Sequence, residues 1–179
     1  ERVDVVEVAH HVAARDARVR VVVTHVGESP HANLNRGVAT RVLEELVDNA
    51  LRFSATDTSV EVRAGVVLDT VEIRVLDQGP GIDVHDHERI FGPLEQLEEL
   101  NVRVHQGAGM GLALARTAAR AMGGDVVVEA SDAGGSTFLW TIPLSSWRHE
   151  LPVRFQQARL EIEQSALELL LEFGAGRPY

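Results

Sequence analysis

Asp77-Gln78-Gly79-Pro80-Gly81-Ile82 follows the alternating run Val71, Ile73, Val75, so an acid ends a predicted strand and two glycines come directly after it. Glycine at such positions lets the backbone approach a ligand closely. A carboxylate there can accept a hydrogen bond from an exocyclic amine, the group that adenine offers. The same Asp-x-Gly-x-Gly spacing also makes ordinary turns. Its meaning therefore depends on its neighbours.

Downstream, Gly107-Ala108-Gly109-Met110-Gly111-Leu112 opens a helix predicted over Met110–Met122 and capped by Gly123-Gly124. Exposed backbone N–H groups and the partial positive charge of a helix N-terminus suit phosphate oxygens without help from lysine. A flexible hinge would show the same glycine spacing. Upstream, Asn35–Phe53 reads as a long amphipathic helix with Val38, Val42, Leu43, Leu46, Val47 and Ala50 on its apolar side. Within it, Glu45 and Asn49 are four apart and share a face. A neutral Asn49 oxygen beside a Glu45 carboxylate suits Mg²⁺, which keeps several waters and takes few protein ligands. Arg52, about one turn on from Asn49, can reach a phosphate. Taken alone, these residues also fit a solvated polar face.

The remaining elements read outward from these three. Val3–Ala17 is predicted as a helix and Arg18–Val26 as a β-branched strand, followed by the turn Gly27-Glu28-Ser29-Pro30. Val60, Val62 and Ala64 alternate, and with the Val71–Val75 run they predict a hairpin turning at Asp69-Thr70. Asp125–Ala130 and Ser136–Ile142 predict a last strand pair around the Asp132–Gly135 turn, stopped by Pro143. The stretch Asp77–Gly111 is long for a connection inside one domain, and such loops are usually functional or mobile. The body is thus α+β, an α/β two-layer sandwich with helices on one face of a mixed, mainly antiparallel sheet. Pro152–Phe173 is a further helix, with Phe155, Ile162, Leu169 and Phe173 along one side and Leu160, Leu167 and Leu171 widening the stripe. A helix this apolar must be covered, by its own domain, a neighbouring domain or a twin. The expected division is 1–147 for the main domain and 148–179 for a helical extension of unknown role.

Composition narrows the chemistry. The chain has 179 residues, about 45% apolar and 25% charged, enough for one domain with a core. It has no cysteine, which removes disulfides, thiolate zinc sites and cysteine nucleophiles. It also has no lysine; all 17 basic residues are arginine. Walker-type phosphate binding and Schiff-base chemistry both need a lysine and are excluded. A formal charge of −10 argues against a nucleic-acid partner. No run of 18 apolar residues exists, so no membrane contact is expected within the fragment. The opening Glu1-Arg2-Val3-Asp4 lacks an initiator Met and a secretory signal, as in a piece of a longer chain.

The three motifs occur together and in order, and that combination is specific. It resembles the GHKL superfamily ATP-binding domain (the Bergerat fold) shared by gyrase, the Hsp90 chaperones, sensor histidine kinases and MutL-type repair proteins. The likeness is nearest to the catalytic domain of a bacterial sensor histidine kinase. Glu45–Ser54 is similar to the N box, Asp77–Ile82 to the G1 box, Arg89-Ile90-Phe91-Gly92-Pro93-Leu94 to the F box, and Gly107–Leu112 to the G2 box. Gly123-Gly124-Asp125 and Gly135-Ser136-Thr137-Phe138 also fit the kinase pattern, and the match runs from Val3 to Leu144.

The resemblance implies ATP and Mg²⁺ as cofactors. Asn49 would ligand the metal, and Glu45 would order its water shell or the reacting phosphate. Asp77 would accept from the adenine amino group, while Gly79, Gly81 and Ile82 lie along the nucleotide. Gly107, Gly109, Met110, Gly111 and Leu112 would cradle the phosphates, Arg52 would add charge, and Thr137 would help close the adenine pocket. Phe91–Gln106 would form the ATP lid, with Phe91 at the nucleotide. The implied partners are a phosphoacceptor and dimerisation domain of the same kinase, which would precede Glu1, and a response regulator. The full-length protein would be a homodimer, and this fragment would lie in the cytoplasm. Leu94 departs from the pattern, standing where a second Phe is common, and the lid carries Glu95, Glu98 and Glu99 against Arg103 alone. No His-Glu-x-x-x-Pro-like phosphoacceptor motif is present; His10-His11 precede Val12-Ala13-Ala14, lack a following acid and read as surface residues, and His85 and His87, which flank Asp86, read as solvated loop residues. Two other readings stay open: an anti-sigma-type serine protein kinase of the same superfamily, and a non-catalytic nucleotide-binding or scaffold module.

Overall fold

A computed structural model describes residues 1–16, 20–92 and 110–144. In chain order the elements are β1 (Arg2–Asp4), α1 (Val5–Ala13), β2 (Val21–His25), β3 (His31–Asn33), α2 (Arg36–Phe53), β4 (Val60–Val67), β5 (Thr70–Leu76), α3 (Gly111–Ala121), β6 (Asp125–Asp132) and β7 (Gly135–Pro143). Two short 3₁₀ turns, Val84–Asp86 and Arg89–Phe91, lie between β5 and α3.

The main sheet has the order β2-β4-β5-β7-β6. Only β2 and β4 run parallel; β4–β5, β5–β7 and β6–β7 are antiparallel. One face is apolar because the strands alternate with a period of two. Val60, Val62 and Ala64 of β4, Val71, Ile73 and Val75 of β5, and Phe138, Trp140 and Ile142 of β7 are all buried. Against this face pack Val5, Val8 and Val12 of α1, Val42, Leu43 and Leu46 of α2, and Ala115, Ala118 and Ala119 of α3. The small alanines let α3 lie close to α2. This is the α+β, mainly antiparallel architecture with helices on one face that the sequence predicts.

The boundaries differ for local reasons. The first helix begins at Val5 rather than Val3, because Asp4 caps it: its Oδ1 accepts from Val6 N (2.9 Å) and Glu7 N (3.0 Å). Val3 instead joins a two-stranded ribbon, with Arg2 opposite Asn33 and Asp4 opposite His31. That helix ends at Ala13, short of Ala17. The β4–β5 turn falls at Leu68-Asp69, with Thr70 already in β5. Asn35 caps α2 by accepting from Val38 N at 3.1 Å. Residues 93–109, with Leu94, Gly107 and Gly109, lie outside the described residues, as does the helix predicted over 152–173. No described helix is long and apolar enough to cross a membrane.

Candidate functional site

The end of the sheet where β5 stops is built from α2, the loop after β5, and the start of α3. Glu45, Asn49 and Arg52 stand four and three residues apart on α2 and so present one face. The loop is tied to the end of that helix, since Gln78 N donates to Ser54 Oγ at 3.1 Å. The start of α3 is tied to its middle: a side chain on Gly111 would collide with Glu45 Oε2. Glycine at that position therefore lets α3 begin directly against Glu45.

Asp77 continues the inward parity of Val71, Ile73 and Val75 and is buried. Its Oδ1 accepts from Gly79 N (2.8 Å) and Ser136 N (3.1 Å). Oδ2 accepts from no described residue. One oxygen thus fixes the carboxylate while the other stays available for an incoming donor. Burial pushes the Asp77 carboxyl above its ordinary value, against the pull of those two amide hydrogen bonds.

Gly81 is held by the protein's own packing. Its φ is +81°, and a Cβ there would run into the backbone oxygen of Asp132. The neighbouring Ile82 N donates to Ser131 Oγ at 2.7 Å, and Ser131 Oγ lies 2.9 Å from Ser136 Oγ. The loop is therefore buttoned onto the β6–β7 hairpin before any ligand arrives. Gly79 is confined too, with Asp77 Oδ1 and Phe53 O about where its side chain would point.

On α2, Glu45 is buried and pairs through Oε1 with Arg41. Asn49 is half-buried, and its amide has no hydrogen-bond partner among the described residues. Arg52 is exposed and likewise has no ion-pair partner among them. Asn49 and Arg52 are therefore free to take a ligand, whereas Glu45 is held in place. No group of three or more His, Cys, Asp or Glu side chains that could cage a metal occurs among the described residues. The donors at hand, one neutral amide oxygen near one carboxylate, fit an ion that keeps its waters and shares a phosphate ligand, as Mg²⁺ does. Met110 caps α3, Gly111 is its first residue, and Leu112 packs partly on the core.

The structure places two of the expected residues away from the open side of Asp77. Thr137 pairs with Leu76 on the outer face of the sheet, because strand parity puts Ser136 and Phe138 inward. The residue against Asp77 is Ser136, buried and donating through its backbone N. The alternation of Ser136, Phe138, Trp140 and Ile142 could have revealed this from the sequence. Phe91, expected at the nucleotide, packs inward. Its ring is buried, edge-on to Phe138 (centroids 6.4 Å apart, planes at 83°) and under the Arg116 guanidinium at 4.6 Å.

Arg116 itself has no counterpart among the predicted residues. It lies on the buried side of α3, donates to both Glu88 oxygens (2.7 and 3.3 Å) and reaches Asp125 at 2.9 Å. The Arg116 and Arg120 guanidiniums, outweighing partial burial, pull the Asp125 carboxyl down to about 2. The hydrogen bonds from Arg116 also hold Glu88 below its ordinary value. This network joins the Arg89–Phe91 turn, α3 and β6. His10, His11 and His85 are exposed, as expected, while His87 Nε2 lies 3.2 Å from Ile82 O.

Residues 35–146 match the family described as histidine kinase-, DNA gyrase B-, and HSP90-like ATPase. The chain is similar to sensor protein RstB of Escherichia coli (strain K12), 37% identical over 124 residues, which cover 68% of this chain and 27% of RstB. It is similar to sensor histidine kinase CpxA of the same strain, 38% identical over 110 residues, covering 62% of this chain and 24% of CpxA. The chain thus spans about a quarter of the length of these relatives. Its fold is that of the mycobacterial sensor histidine kinase MprB (TM-score 0.68, 23% identity, 80% of this chain and 96% of that one). The catalytic domain of histidine kinase ThkA shares it too (TM-score 0.68, 20% identity, 80% of this chain and 96% of that one).

Proposed function

This chain belongs to the histidine kinase-, DNA gyrase B- and HSP90-like ATPase family, and from that premise we propose that it binds Mg-ATP as the catalytic part of a sensor histidine kinase. It delivers the γ-phosphoryl group to a histidine on a dimerisation domain outside these residues, and a response regulator receives it afterwards. The observation that carries this reading is the Asp77 carboxylate, held through one oxygen by Gly79 and Ser136 and open at the other.

The residues then divide the work by position. Asp77 Oδ2 accepts from the adenine amino group, and the Ser136–Ser131–Ile82 button keeps that oxygen aimed. The first turn of α3, opened by Gly111, turns its free backbone N–H groups and helix dipole toward the phosphates. Arg52 adds charge from the solvent side. Asn49 holds Mg²⁺, with Glu45 next to it fixed by Arg41; bound there, the ion would neutralise charge on the phosphates. The nucleophilic nitrogen comes from the acceptor domain, so catalysis by this chain is positioning and electrostatic stabilisation. The same reading places 1–147 as the catalytic unit, working in the cytoplasm within a dimeric kinase.

Mixing the chain with γ-labelled ATP and the phosphoacceptor domain of a related sensor kinase tests it. Acid-labile label on the acceptor histidine is expected, with none on this chain alone. Acid-stable label on serine would instead identify a serine kinase of the same family, and full signalling by an Asn49→Ala protein that no longer binds Mg-ATP would identify a scaffold.

A further inference from the structure

The apolar stripe that the sequence predicts over 152–173 takes no role in the proposed nucleotide site, and the opposite end of the sheet leaves apolar side chains in water. Val66 and Val67 at the end of β4 are about half exposed, and Leu68 in the turn is 95% exposed. Val26, the residue after the His25–Ala64 pair that ends the β2–β4 ladder, is 88% exposed. Leu68 is the one described non-glycine residue with a positive φ, +55°. Leucine is strained in that left-handed region, where Gly or Asn would sit at little cost. A turn alone gains nothing from leucine there; a contact made by its side chain would.

The chain itself leaves the sheet at this point. Thr70 pairs with Pro143, and Leu144 N donates to the backbone oxygen of Asp69 at 2.7 Å. Leu144 keeps the inward parity of Trp140 and Ile142 and packs partly on the core. The residues that follow therefore start beside the Val67–Thr70 turn. Phe155 is eleven residues beyond Leu144, a step that spans at most about 36 Å when extended. Phe155, Ile162 and Leu169 recur every seven residues, so a helix there would present them on one side.

We propose that the C-terminal segment 152–173 docks as a helix on its own domain, laying its Phe155–Ile162–Leu169 stripe over the tip formed by Val26, Val66, Val67 and Leu68. The occupant is this segment because it begins eight residues beyond Leu144, beside the patch, and so is held there at an effective concentration no free partner matches. Docking at this end leaves the nucleotide site, at the far end of β5, uncovered.

The absence of cysteine makes the test clean. Full-length chains carrying Leu68→Cys with one of Phe155→Cys, Ile162→Cys or Leu169→Cys are oxidised mildly at low concentration. At least one pair is expected to close within a single chain, while an Asp57→Cys control, on the loop after α2, closes with none. Pairs that link only between two copies, or no pairing at all, overturn the proposal, the first in favour of a second copy as occupant. Hydrogen exchange gives an independent readout. Leu68→Asp, which suits the left-handed turn and keeps it folded, is expected to speed exchange within 152–173 at least tenfold. Unchanged protection there also overturns the proposal.

Discussion

Asp77 carries opposing demands, and they can be separated by one substitution. Its carboxyl is pushed up by burial, so the folded chain holds the proton more tightly than the unfolded chain does. Its contribution to stability is present at acid pH, below the unfolded value, and is lost as pH rises through the raised folded value. Once ionised, the group is a cost to the fold, one that the proposed ligand recognition offsets. Asp77→Asn keeps an oxygen for Gly79 N and Ser136 N but sets an NH₂ against the adenine amine. A melting temperature at or above that of the parent is expected, with ATP affinity lower by roughly 10- to 100-fold, about 1.5–3 kcal/mol; calorimetry and thermal melts check both. Gly81 has the reverse balance. Gly81→Ala must hold a side chain at φ +81° against Asp132 O, and a loss on the order of 3 kcal/mol in chemical denaturation is expected.

Among the elements, α3 depends on charge as much as on its alanines. Arg116 and Arg120 clamp Asp125, whose carboxyl drops from 3.8 to about 2. A depressed carboxylate contributes stability above its unfolded value and loses it as pH falls through the folded one, here between about 4 and 2. The Asp125 side chain is 34% exposed, so solvent screening reduces the contribution to on the order of 1 kcal/mol. Asp125→Asn is expected to be less stable than the parent at pH 7 by that amount and equal to it near pH 2, as acid-dependent urea unfolding would show. Sequence carried the long elements well: α2, β4, β5 and α3 show clear periods. It carried short or distant features poorly. Three-residue strands such as His31–Asn33 have no period to read. The contacts of Gly81 with Asp132, and of Arg116 with Glu88 and Phe91, join residues 25 to 51 positions apart that only the folded sheet brings together. Thr137 lies one step from the residue that touches Asp77, because a motif read along the chain ignores which face of a strand each residue takes.

For the whole molecule, the proposed site sets an adenine end at Asp77 and a phosphate end at Gly111 along α2, with Asn49 between them. Removing the amide at Asn49 is expected to abolish the Mg²⁺ dependence of ATP binding while leaving the melting temperature within about a degree, since no described residue uses that side chain. The most direct test of the nucleotide site is a calorimetric titration of the full chain with ATP and with GTP, each with Mg²⁺, for the parent and for Asp77→Asn. Asp77 Oδ2 needs an amine, and guanine sets a carbonyl oxygen at that position, so two acceptors would meet. The expected result is saturable ATP binding, GTP weaker by at least about tenfold, and loss of that preference in Asp77→Asn. Equal affinity for ATP and GTP in the parent, or a preference that survives Asp77→Asn, would contradict the site as described.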